Sequence, residues 1–196
     1  MSLEKPNFNP ESFSQEQQEQ NEPIKSEKEI AWEQKLSVVN EITDRLGMGV
    51  DEKIKESVAA FLIHEFTTSG SCEGHMTEEG KERHGLPYPW IGVYAPEPEG
   101  WKESQEKKRE WTIENLQQQK KMMGFLEEFY KERETPFDAR LTFDGIGAFG
   151  GFRVQSFGAE MWSILTPEER EQKLELYQKE MGDFTNFLKD KHFSKE

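Results

Sequence analysis

Hydrophobic positions recur at helical spacing in four stretches of the chain. The first predicts an amphipathic helix over residues 29–46, because its apolar positions lie three or four residues apart. The same spacing predicts helices over residues 51–66, where Asp51 is a candidate cap, and over the charged segment 101–134. The last helix begins at a Thr166 N-cap followed by a first-turn proline and a capping-box glutamate. The apolar positions of the four stretches are Trp32, Leu36, Val39, Ile42 and Leu46; Ile54, Val58, Phe61, Leu62 and Phe66; Trp111, Leu116, Met123, Leu126 and Tyr130; and Leu174, Tyr177, Met181, Phe184 and Leu188.

Four shorter segments have the composition or the alternation of β-strands. Residues 67–71 are β-tolerant or turn-forming and predict a short strand that leads into a loop, and residues 90–95 predict a strand bounded by prolines. Residues 140–144 and 151–157 alternate, and the glycines between them predict a hairpin. This order of elements favours an α+β fold, with a small, mostly antiparallel sheet of about four strands and about four helices packed against it.

Composition divides the chain into a polar tail and a folded part. Residues 1–28 contain five apolar side chains and a run rich in Gln and Glu. Such a segment cannot bury enough apolar surface to offset the entropy lost on ordering. We therefore expect a disordered polar tail over residues 1–28 and a single α+β domain over residues 29–196.

Charge and cysteine content exclude several classes of protein. The formal net charge of −14 disfavours a phosphate-backbone partner, so we do not expect binding to nucleic acid. No stretch approaches the roughly 18 consecutive apolar residues of a membrane span, and no signal-peptide pattern opens the sequence. The single cysteine cannot form an internal disulfide. These features predict a cytoplasmic protein without a membrane partner.

The Ser-Cys-Glu-Gly-His segment at residues 71–75 holds the strongest candidate chemistry. A cysteine is a useful nucleophile when its pKa is lowered, and a nearby imidazolium can lower it. Gly74 would let the loop fold back so that Cys72 and His75 face one point. We therefore predict Cys72 as nucleophile or ligand, His75 as base, and Glu73 as the orienting or proton-carrying acid.

Neighbouring residues extend this candidate site into a ligand pocket. The predicted ligand-binding residues are Ser71, Gly74, His84, Tyr88 and Trp90. Tyr88 and Trp90 would wall a pocket beside Cys72 if the two strands are neighbours. The alternative is a non-catalytic binding or interaction protein in which the loop is structural, with a buried cysteine, a glycine turn and a solvated histidine. The sequence does not decide whether the protein is an enzyme.

The histidines of this region also offer a metal-binding alternative. Cys72, His75 and His84, with His64 or Glu73 as fourth ligand, would make a tetrahedral zinc site. Because the spacing matches no standard zinc signature, we assign no metal ligand and leave the cofactor unknown. We expect His64, on the second predicted helix, at the edge of the core.

The loop and the strand after it resemble a pattern found in small bacterial proteins. In those proteins a helix, an SCEGH loop and a PYPW strand follow one another, which corresponds to residues 50–95 of this chain. The resemblance implies a bacterial origin and no particular activity. It rests on Thr68, Ser71, Cys72, Glu73, Gly74 and His75, followed by Gly85, Pro87, Pro89, Trp90 and Ile91.

The same loop is more loosely similar to the Thr-Ser-Ser-Cys-Ser-Gly-Arg loop of the wybutosine-synthesis methyltransferase family. The matching residues are Thr67, Thr68, Ser69, Ser71, Cys72 and Gly74. That family uses S-adenosylmethionine on a tRNA base, so this resemblance implies a tRNA-modifying protein as a further alternative. Here His75 stands where the family has its arginine, and Gly70 interrupts the run.

The apolar stripe of the final helix is expected in the core, with one alternative. Phe184, Phe187 and Phe193 offer apolar surface that a homodimer would cover. Taken together, the sequence predicts a cytoplasmic bacterial domain with a Cys/His/Glu site for a small-molecule ligand or substrate.

Overall fold

Helices and strands follow one another in the predicted order. In a computed structural model, which describes residues 25–44, 46–76 and 86–194, these residues form four α-helices and one four-stranded sheet. The α+β fold is thereby confirmed. The helices are α1 (Glu27–Glu41), α2 (Lys55–Ile63), α3 (Gln105–Phe129) and α4 (Pro167–Ser194), and the strands are β1 (Thr68–Cys72), β2 (Trp90–Val93), β3 (Leu141–Ile146) and β4 (Gly151–Ser156).

The sheet is antiparallel throughout, with the strand order β1-β2-β4-β3. The predicted hairpin is present as β3 and β4, which pair from Leu141 opposite Ser156 to Ile146 opposite Gly151. Its turn contains Gly147 and Gly150 at φ angles of 67° and 79°, a left-handed conformation that glycine adopts without steric cost. Local pattern and turn chemistry therefore agree along this part of the chain.

One hydrophobic core joins a face of the sheet to all four helices. The face consists of residues that stand opposite each other in β2 and β4, where Ile91 pairs with Val154 and Val93 pairs with Phe152. All four are fully buried. Each helix contributes fully buried side chains to the same cluster, among them Val39 from α1, Phe61 from α2, Met122 from α3 and Phe184 from α4.

The first helix ends earlier than the pattern predicts. α1 stops at Glu41, and Ile42 is already extended. The carboxylate of Asp44 accepts hydrogen bonds of 2.8 Å from the N–H groups of both Leu46 and Met48, which closes a tight loop in place of another helical turn. The prediction of a helix to residue 46 is therefore wrong, and Leu46 is 73% exposed.

The third helix buries only part of its predicted apolar stripe, since Trp111 and Leu126 are buried as expected. Leu116 and Met123 are exposed, whereas Met122 and the polar Asn115 are fully buried. The Asn115 amide accepts a hydrogen bond of 2.7 Å from the Ala95 N–H, which fixes α3 to the end of β2. A buried amide satisfied by the backbone thus occupies a core position that apolar periodicity could not indicate.

The boundary predicted for the tail falls inside a helix. α1 begins at Glu27, where Ser26 and Glu29 form a capping box with reciprocal hydrogen bonds. The remainder of the predicted tail, residues 1–24, lies outside the described residues. Among the helices of the described ranges, none is both long and apolar enough to cross a membrane.

The last helix uses its apolar stripe within the chain. Tyr177, Met181, Phe184 and Leu188 are buried, as the spacing predicts. Phe187 stacks on Phe184 with ring centroids 6.0 Å apart. Of the three phenylalanines considered for a homodimer, Phe184 therefore lies in the core of a single chain and Phe187 packs against that core, and the homodimer stays a prediction.

Candidate functional site

A cavity of about 620 Å³ lies between β1 and the loop that follows α1. Its apolar lining includes Leu46, Met48 and Val50 from the loop, together with Val58 of α2 and Trp90 of β2. Hydroxyl groups and a small cluster of ionisable side chains supply its polar lining. The polar residues concerned are Thr43, Asp44, Asp51, Thr68, Ser69, Ser71, Cys72 and His75.

Three of these side chains converge. The carboxylate of Asp51, the thiol of Cys72 and the ring of His75 each offer an atom within 4.8 Å of the other two. The contact between the acid and the histidine is direct, because His75 Nε2 lies 3.1 Å from Asp51 Oδ2. The structure thus brings Cys72 and His75 together, and it adds an acidic residue from a distant part of the chain.

Backbone geometry at Gly74 makes this convergence possible. Gly74 has a φ of +87°, which side-chain-bearing residues rarely adopt. A Cβ at this position would lie 2.6 Å from Leu174 Cδ1 and 2.9 Å from the backbone carbon of Tyr88. Beyond Gly74, the His75 N–H donates to the Leu86 carbonyl at 3.2 Å.

The cysteine is buried in surroundings that raise the pKa of its thiol. Cys72 is 3% exposed. Burial raises the pKa of its thiol above the ordinary value; hydrogen bonds with Gly74 and Leu86 lower it in part, and the charges of Asp51 and Glu73 raise it further. The thiol donates to the Leu86 carbonyl at 3.4 Å, and the Gly74 N–H donates to the sulfur at 3.4 Å. This environment disfavours a free thiolate.

The acid that contacts His75 is Asp51 and not Glu73. The Glu73 carboxylate accepts a hydrogen bond of 2.9 Å from the Lys53 N–H. Lys53 belongs to a short 3-10 helix, Glu52–Ile54, that precedes α2. The backbone N–H of Glu73 donates to Asp51 Oδ2 at 3.2 Å. Glu73 therefore holds the loop and Asp51 in place, and its carboxylate does not occupy the orienting position predicted for it.

Of the residues predicted to bind a ligand, Ser71 and Trp90 line the cavity and Tyr88 does not. The two strands are neighbours, and Trp90 stands opposite Cys72 in the ladder. Tyr88 instead packs edge-on against Trp162, with ring centroids 6.1 Å apart, in a second hydrophobic cluster. Gly74 acts through the loop conformation. His84 lies outside the described residues.

His64 occupies the core edge, as predicted. It is buried, its Nε2 lies 2.8 Å from the Leu188 carbonyl, and its ring packs against Phe125. It is not part of the group formed by Asp51, Cys72 and His75 in the part of the chain that the structure describes. The zinc set considered from the sequence therefore does not assemble with His64 as a ligand.

Sequence reasoning missed Asp51 as a site residue. The pattern assigned it to a helix cap, yet its side chain makes no capping hydrogen bond to the segment it precedes. Only Gly47 and Gly49, which indicate the end of a helix, mark the loop that carries it. Nothing in the spacing between Asp51 and Cys72 indicates that they meet.

Comparison of the chain with models of protein families, with curated proteins and with solved structures gave no match. The two resemblances of the loop sequence therefore stay predictions.

Proposed function

We propose that the protein binds a small organic molecule in the cavity between β1 and the loop 42–51. The observation that supports this proposal is the cavity itself, which measures about 620 Å³ and combines apolar walls with a compact polar cluster. Sites for small molecules have volumes of roughly 300–1,000 Å³, with mostly apolar linings and a few placed polar groups. The proposed setting is a bacterial cytoplasm, where a buried free cysteine is stable.

The charges of the lining favour a neutral or cationic ligand. The lining residues that the structure describes include two aspartates and neither lysine nor arginine. The Asp44 carboxylate already accepts hydrogen bonds from two backbone N–H groups of its own loop. The polar groups that would contact a ligand are therefore those of Asp51, Cys72 and His75. An aromatic or aliphatic body would lie against Leu46, Met48 and Trp90.

A thiol-dependent catalyst is the second candidate. The observation that favours it is the contact between Asp51 and His75 beside Cys72, which is the arrangement of an orienting acid, a base and a nucleophile. In such an enzyme His75 would take the thiol proton and Cys72 would attack an electrophilic substrate in the cavity. The raised pKa of Cys72 works against this use, so ligand binding is the first proposal.

The binding proposal is tested with Nile red, a neutral apolar dye, and two matched variants. Leu46 lines the cavity and Ile164 lies elsewhere, yet the two side chains are 73% and 74% exposed, so an aspartate at either position should leave the fold intact. Leu46→Asp is expected to raise the dye dissociation constant about tenfold, equivalent to about 1.4 kcal/mol. Ile164→Asp is expected to leave it unchanged.

Fluorescence titrations of the wild type and the two variants with Nile red test whether the dye binds in the cavity. Equal dissociation constants for the wild type and both variants would mean that the dye binds elsewhere, and the cavity would lose its assignment. A larger loss in Ile164→Asp than in Leu46→Asp would have the same consequence.

A further inference from the structure

We propose that Asp51, Cys72 and His75 bind a zinc ion and leave one coordination position for a ligand in the cavity. The second half of this proposal rests on the proposed function. It defines the ligand class more closely, as uncharged small molecules that carry a metal-coordinating group such as an imidazole, a thiol or a hydroxamic acid.

The donor atoms are those that zinc prefers. A carboxylate oxygen, a cysteine sulfur and an imidazole nitrogen are the common zinc ligands, and sites with three protein ligands keep a fourth position open. Ligand atoms around tetrahedral zinc lie about 3.3–3.8 Å apart, since the bonds are about 2.0–2.3 Å long. The three atoms here lie within 4.8 Å of one another, so side-chain shifts of about 1 Å complete the geometry. Sulfur and nitrogen ligands select zinc over calcium or magnesium.

Charge balance suits the buried position of the cluster. Zinc binding releases the thiol proton of Cys72 to solvent, and the sulfur then bonds to the metal. Together with the Asp51 carboxylate and a neutral His75 ring, the thiolate cancels the charge of the divalent cation. A neutral assembly avoids the cost of burying an isolated charge beside a side chain that is 3% exposed.

Hydrogen bonds around the cluster support two of the ligands, Cys72 and Asp51, in their metal-bound form. The Gly74 N–H points at the Cys72 sulfur, where it stabilises a thiolate. The Glu73 N–H donates to Asp51 and orients the carboxylate. Loss of the thiol proton leaves no buried carbonyl without a partner, because Leu86 still accepts from the His75 N–H.

Cobalt(II) is the probe, because it substitutes for zinc and absorbs visible light. The untagged full chain, freed of metal by a chelator, is titrated with Co²⁺ and then with Zn²⁺. We expect one Co²⁺ per chain, a sulfur-to-cobalt charge-transfer band and intense tetrahedral bands, all of which zinc should abolish. Acetohydroxamate is expected to change the visible bands by entering the open position.

Variants separate the proposed ligands from their neighbours. Cys72→Ser should lose the charge-transfer band, and Asp51→Asn and His75→Gln should each weaken cobalt binding by at least about tenfold. Glu52→Gln is the matched control, since its exposed carboxylate pairs with Lys55 outside the cluster, and it should stay within about threefold of the wild type. Far-ultraviolet circular dichroism of the metal-free variants verifies that each is folded.

Three outcomes would overturn the inference in whole or in part. The proposed metal site is ruled out if the wild type shows no charge-transfer band at millimolar Co²⁺. It is also ruled out if the Cys72→Ser variant retains that band. If acetohydroxamate leaves the visible bands unchanged, the fourth coordination position is not open to a ligand. Nile red binding to the metal-free protein is scored separately, so a failed metal site and a failed ligand cavity give different results.

Discussion

Alanine at position 74 tests whether backbone geometry assembles the site. Gly74→Ala places a methyl group 2.6 Å from Leu174 Cδ1 and 2.9 Å from the backbone carbon of Tyr88, at a φ of +87°. The leucine can rotate away, but the backbone of Tyr88 cannot. The loop must therefore shift, and His75 shifts with it.

The expected loss of stability follows from two costs. A side-chain-bearing residue in a left-handed conformation costs about 1–2 kcal/mol. Overpacking against a fixed neighbour costs about 1–3 kcal/mol more. The free energy of unfolding should therefore fall by about 2–5 kcal/mol, a large part of the roughly 5–15 kcal/mol of a typical domain.

Urea unfolding followed by tryptophan fluorescence measures this loss, with two control variants. Gly124 lies in α3 with nothing within 4 Å of a Cβ, so Gly124→Ala should stabilise the protein by about 0.5–1 kcal/mol. Adding Leu174→Ala to Gly74→Ala removes the shorter contact and leaves the one with Tyr88. The double variant should therefore show a favourable coupling of about 0.5–3 kcal/mol but not full recovery.

A free energy of unfolding for Gly74→Ala within about 0.5 kcal/mol of the wild type would refute the reasoning. So would a full recovery in the double variant, because it would mean that the leucine alone restricts the loop.

Three further predictions concern other parts of the molecule. Cys72 of the metal-free native protein should react with iodoacetamide at least about tenfold more slowly at neutral pH than in urea, because burial raises the pKa of its thiol; equally fast labelling would support the catalytic candidate. Asn115→Leu should lower the free energy of unfolding by about 1–3 kcal/mol in urea, since the buried Ala95 N–H loses its acceptor; an unchanged midpoint would mean that water replaces the amide. Burial raises the pKa of Asp138, but hydrogen bonds, first among them the one from Lys173, bring it below its ordinary value of 3.8. The ionised Asp138 therefore stabilises the folded state above about pH 4, and this contribution is lost as the pH falls through the lowered pKa. Lys173→Met should flatten the decline of the urea midpoint below pH 4, and an unaltered decline would contradict this origin.

Local signals account for what the sequence predicted well. The hairpin of β3 and β4 follows from alternation and from glycines at its turn, and the start of α4 follows from the capping box between Thr166 and Glu169. The pairing of β1 with β2, on which the position of Trp90 opposite Cys72 depends, is present in the ladder but does not follow from a local signal. The hairpin and the helix start depend on residues that are close in sequence.

Tertiary contacts decide what the sequence could not indicate. Ile42 and Leu46 continue a helical spacing, but the Asp44 carboxylate captures the following amides and ends the helix. Asp51, which precedes α2, meets His75, which follows β1, through tertiary packing alone. Tertiary packing therefore decides whether Glu73 or Asp51 is the acid beside His75. The spacing of apolar residues in the sequence carries no information about that packing.

The position of β1 at one side of the sheet has a further consequence. A strand with one free side offers unpaired N–H and C=O groups to a strand of another molecule, which is a route to aggregation. β1 is five residues long, consists mainly of small polar residues, and shifts register between Thr68 and Gly70. A short and irregular strand is a poor template for such pairing. The strand that lines the cavity therefore also protects the protein against association with itself through this edge of the sheet.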